Sequence, residues 1–101
     1  MKTEEYLEQI ESLQIQIESK SDWAAPKQAV AALLESAFKY LKSNEFDRVL
    51  ARAEVAFSKS CGNHEDLEKL EKILDPLHDM GVITPETYAR IIENTSCNRW
   101  L

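Results

Sequence analysis

Four side chains in this sequence could bind a soft metal or act as a nucleophile and base: Cys61, His64, His78 and Cys97. Cys61 and His64 bracket Gly62 and Asn63, a spacing that lets a thiolate and an imidazole reach one zinc ion, which takes sulfur and nitrogen ligands. His78 cannot join them in one chain. It lies at the far end of the same predicted helix as His64, about 21 Å away at 1.5 Å per residue. A third ligand would have to be Cys97, and only if the C-terminus folds back. Nucleophilic catalysis through Cys61 and His64 would also need an orienting carboxylate and a pocket, and the short turns of this chain build no cleft. Glycine-rich phosphate loops are excluded, because Gly62 and Gly81 are the only glycines and stand apart. These residues therefore read as two free thiols and two histidines, with no enzyme activity, metal or cofactor expected. A small enzyme or zinc protein using Cys61 and His64 is the second alternative.

The carboxylates are more numerous. Glu4, Glu8, Glu11 and Glu18 form one stripe, and Glu68, Glu71, Asp75 and Asp79 another. A di-iron bundle would turn such groups inward and add Glu-x-x-His pairs on facing helices. Here both stripes lie opposite an apolar face and no Glu-x-x-His occurs, so they read as outer faces, either solvated or used to dock a basic partner.

The elements that position these groups are helices. Tyr6, Ile10, Leu13 and Ile17 fall on one face of a first helix over about residues 4–20, with Thr3 as its cap. Pro26 suits the first turn of a second helix, which carries Val30, Leu33, Leu34, Ala37, Phe38 and Leu41 to about residue 42. After Ser43 and Asn44 the spacing repeats as Phe46, Val49, Leu50, Ala53, Ala56 and Phe57, so the second and third helices are expected to be antiparallel neighbours. Asn63 caps a fourth helix with Leu67, Leu70, Ile73, Leu74 and Leu77 inward, and Pro76 is expected to kink it or tighten its last turn. Thr84-Pro85-Glu86 starts a short fifth helix ending near Asn94. Trp23 reads as core or edge packing of the second helix, and Trp100 and Leu101 as tucked into a groove. The expected fold is one all-α domain over residues 1–101, a compact antiparallel bundle of four main helices plus a short C-terminal one.

The residues most suggestive of a partner are apolar groups on polar faces. Ile15 projects from the acidic stripe of the first helix, between Glu11 and Glu18. On the third helix Arg48, Arg52 and Lys59 form a basic stripe, and Val55 sits inside it in the same way. An apolar anchor in a polar rim is the usual build of a small binding patch. The partner-binding set is thus Glu8, Glu11, Ile15, Glu18, Arg48, Arg52, Val55 and Lys59.

The net charge of −6 argues against binding nucleic acid directly or an anionic membrane surface, both of which demand clustered Lys and Arg. The absence of a signal-peptide pattern at the first residues implies a cytoplasmic protein. The function expected is that of a non-catalytic interaction protein. It would be a small acidic inhibitor or regulator of antitoxin, immunity or phage anti-host type, acting by steric and electrostatic block of a basic or nucleic-acid-binding protein. The alternative is a structural or adaptor subunit that self-associates, for instance as a homodimer, through the stripes of the first and third helices.

Overall fold

A computed structural model describes residues 2–19, 23–59 and 64–100, without the side chains of 64–66 and 96–100. Five helices follow one another: α1 Thr3–Ser19, α2 Ala24–Tyr40, α3 Ser43–Phe57, α4 His64–Asp79 and α5 Pro85–Trp100. The all-α bundle is as expected. The fifth helix, however, runs 16 residues instead of ending near Asn94. Thr95, fully buried with its hydroxyl donating to the Ile91 carbonyl at 2.8 Å, belongs to this extension. Cys61 and the expected cap at Asn63 lie outside the described residues, as do Leu101 and the side chains of His64, Cys97 and Trp100.

Helices α1, α2 and α3 pack pairwise into a three-helix core, and the α4–α5 hairpin leans on it through α2 and α3. Tyr6 near the start of α1 hydrogen-bonds Ser36 near the end of α2 at 2.7 Å, so these helices are antiparallel. Phe38 and Phe46 stack edge-on at 5.4 Å on either side of the α2–α3 turn, which makes the second pair antiparallel too. Two reversals leave α1 and α3 running the same way, side by side.

The apolar series of every helix meets in one core that includes Tyr6, Ile10, Ile17, Leu34, Phe57, Leu70 and Ile91. Ala37, Ala53 and Ala56 are fully buried, as close approach of α2 and α3 requires. Phe38 departs from expectation: it is 45% exposed, because the core ends at Phe46 and leaves Phe38 stacked on that ring's outer edge. Val82 and Ile83, which the sequence placed only as a connection, are buried.

Helix ends follow local chemistry. Thr3 lies within α1 and is buried; the cap position belongs to Lys2, whose backbone N–H donates to the Glu5 carboxylate at 3.4 Å. Pro76 does not interrupt α4, which continues to Asp79. The helix then closes at Gly81, whose φ of +76° lets Gly81 donate to the His78 carbonyl and Val82 to that of Leu77, a Schellman ending. Thr84 caps α5, its hydroxyl oxygen accepting the Thr87 N–H at 3.1 Å.

One buried charge stands out in the core. Lys27, fully buried, donates to the carbonyl of Phe57 at 2.7 Å and lies over the Trp23 ring at 4.3 Å. An ammonium at the C-terminal end of a helix meets the negative end of its dipole, and the indole face adds cation–π attraction. Lys27 thereby pins the first turn of α2 to the last turn of α3.

Candidate protein-interaction face

Ile15 is 60% exposed and Val55 44%, although both belong to helices whose other large apolar residues face the core. Their surroundings follow from the parallel run of α1 and α3. At the seam between these helices Arg52 donates to the side-chain oxygen of Gln14, and the Gln14 amide donates to Glu18 at 3.1 Å. The chain Arg52–Gln14–Glu18 thus ties the basic stripe of α3 to the acidic stripe of α1 within one molecule.

Arg52 is half-buried on the flank of α3 that meets α1. Moving outward from the seam on α3, helical geometry gives Arg48 and then Val55, with Lys59 two residues past the end of the helix; outward on α1 it gives Glu18, Glu11 and then Ile15. Arg48, Glu11 and Glu18 are exposed and Lys59 is half-buried. Glu8 is exposed farther round, on the ridge between this face and the groove beyond α1.

The two apolar residues are also at one level. Ile15 lies one residue beyond Gln14 and Val55 three beyond Arg52, so along parallel axes they differ in height by about 3 Å. The result is a face with two apolar anchors, a basic band on one side of a seam and an acidic band on the other. Gln14 was missed by sequence reasoning, because only its partner on its own helix, four residues on, is visible as a pattern; Arg52 is 38 residues away.

A larger hollow lies away from this face. A groove of about 620 Å³ runs between α1 and α2, lined by Gln9, Ser12, Leu13 and Gln16 on one side and Ala29, Ala32 and Leu33 on the other. Ala32 also borders a smaller groove of about 240 Å³ between α2 and α4, beside Lys72, Pro76 and Met80. Neither groove has a cysteine or a histidine among its described lining residues.

The α4 stripe is partly engaged by α5. Tyr88 donates to Asp75 at 2.8 Å, and His78 lies edge-on to the Tyr88 ring at 5.8 Å. Burial, then the hydrogen bond to Asp75 and the charges of Asp75 and Glu71, hold the Tyr88 proton on well above the usual phenol range. Arg90 pairs with Glu54 of α3 at 2.5 Å, which raises its affinity for its proton further. Among the described residues no cluster of three or more His, Cys, Asp or Glu side chains could hold a metal ion. The His78 ring lies near the Asp79 carboxylate, at 3.9 Å, as well as against Tyr88. No described helix is long and apolar enough to cross a membrane.

The chain matches no protein-family model. It likewise has no match among curated proteins or among solved structures.

Proposed function

We propose that this is a non-catalytic interaction protein that docks on a protein partner through the α1/α3 face. The observation that carries the reading is the pair of exposed apolar side chains, Ile15 and Val55, held level with each other and flanked by charge. Full burial of a side chain of this size gains roughly 1.5–3 kcal/mol over leaving it in water. Charged rims add orientation and selectivity. The working mode is steric and electrostatic block, as in small acidic inhibitors and regulators acting in the cytoplasm, with Ile15 as anchor amid Glu8, Glu11 and Glu18. That comparison to inhibitors is one of fold and charge.

A second reading, self-association, is favoured by the presence of both charge bands on one face. A purely acidic surface would repel its own copy; a face with an acidic and a basic half need not. The test is a photo-crosslinking amino acid placed at position 15, at position 55 or, as control, at the exposed Ala32 in the groove, each expressed in the native host. Adducts from positions 15 and 55 that are absent from position 32 are expected. Equal labelling from all three positions, or none from 15 and 55, contradicts the docking face.

A further inference from the structure

We infer that the partner of the α1/α3 face is a second copy of this chain, joined about a two-fold axis that lies in the interface and runs parallel to the α1/α3 seam. The inference rests on the docking face proposed above and names its occupant. Two-fold pairing brings one patch against itself, so the patch must be self-complementary. Two simple orientations exist for the axis in the plane of the face. Perpendicular to the seam, it lays α1 on the partner's α1 and α3 on the partner's α3, setting Glu11 and Glu18 against like charges and Arg48 and Lys59 likewise. Parallel to the seam, it lays α1 on the partner's α3, and every charged band meets its opposite.

The apolar anchors select the same axis. Rotation about a line parallel to the helices leaves heights along them unchanged, so Ile15 comes over the partner's Val55 with an offset of only about 3 Å. That distance is within reach of side chains in van der Waals contact. Symmetry makes the contact twice, giving two Ile15–Val55 pairs enclosed by two sets of opposite charges. The remaining negative charge does not oppose this approach closely. Residues 61–80 carry a net −4, and the α4 helix within them packs on α2 and α5, away from the seam.

The experiment exchanges the charge bands. One variant reverses the acidic band, Glu11→Lys with Glu18→Lys; a second reverses the basic band, Arg48→Glu with Lys59→Glu. Light scattering after size exclusion is expected to give the wild type the mass of two chains at low salt, and each variant alone the mass of one. An equimolar mixture of the variants should regain the mass of two, because each band again meets its opposite. A wild type that stays a single chain at every concentration overturns the proposal, as does a variant that pairs with itself, or a mixture that stays monomeric. Circular dichroism checks folding, and if a reversed variant fails to fold, Ile15→Ser and Val55→Ser replace it. Each should weaken pairing roughly tenfold or more, and unchanged pairing would overturn the proposal. A single-chain wild type that still crosslinks from positions 15 and 55 to a foreign protein would remove the self-pairing and leave the docking face standing.

Discussion

The α1/α3 face and the groove over α2 share the same bundle but treat water differently. In the groove the apolar lining is Ala29, Ala32 and the half-buried Leu13 and Leu33, whose side chains already pack against the core. On the α1/α3 face the exposed groups are an isoleucine and a valine, ringed by charges that keep the surface hydrated. Volume alone would point to the groove as the place of function. Exposed apolar side chains, together with charges that orient a partner, point to the α1/α3 face. The comparison teaches that leucines lining a groove are already half covered by their neighbours, whereas a large apolar group held outward still has much of its burial to gain.

The largest expected effect is one that both regions share. Leu34 is fully buried in α2 beneath them, and Leu34→Ala should cost about 2–5 kcal/mol in chemical denaturation. Lys27→Met should cost about 1.5–3 kcal/mol, by removing the charge-assisted hydrogen bond to the Phe57 carbonyl while keeping the length of the side chain. A loss below 0.5 kcal/mol would show that Lys27 does not pin α2 to α3. Separating the two regions needs surface changes. Ile15→Lys should abolish pairing yet move stability by no more than about 0.5 kcal/mol, whereas Ala32→Lys should leave both unaltered. The reverse pattern, with mass lost at position 32, would transfer function to the groove. Gln14→Ala should have a smaller effect on pairing than Ile15→Lys, weakening it without abolishing it, and should cost about 0.5–1.5 kcal/mol in stability from the loss of its hydrogen bonds to Arg52 and Glu18.

Much of the fold was legible because burial follows helical period. Tyr6, Ile10 and Ile17, or Val49, Ala53, Ala56 and Phe57, repeat at intervals that admit only a helix with one inner face. The Gly81 ending and the Thr84 cap were legible because each demands a particular residue type. The second half of α5 was not, since Asn94, Thr95 and Ser96 favour turns by themselves and only the tertiary setting of Thr95 overrides that preference. Lys27 was not legible either, because a lysine in a first turn normally reaches solvent and its partner is 30 residues away. For the candidate face, the sequence named Ile15 and Val55 and their charged stripes as separate features. That they share one surface depends on α1 and α3 being parallel neighbours, a matter of chain reversals which no periodicity encodes.

The account is tested most directly by the solution mass of the unmodified protein at low and at high salt, measured by light scattering across a range of concentrations. Opposed bands within a few ångströms attract most strongly when few ions screen them, the screening length being about 10 Å at 0.1 M salt and about 3 Å at 1 M. The mass of two chains at low salt, falling toward one as salt rises, is the predicted result. A single chain at both salts, or pairing that strengthens with salt, would contradict the matching of acidic and basic bands across the α1/α3 face.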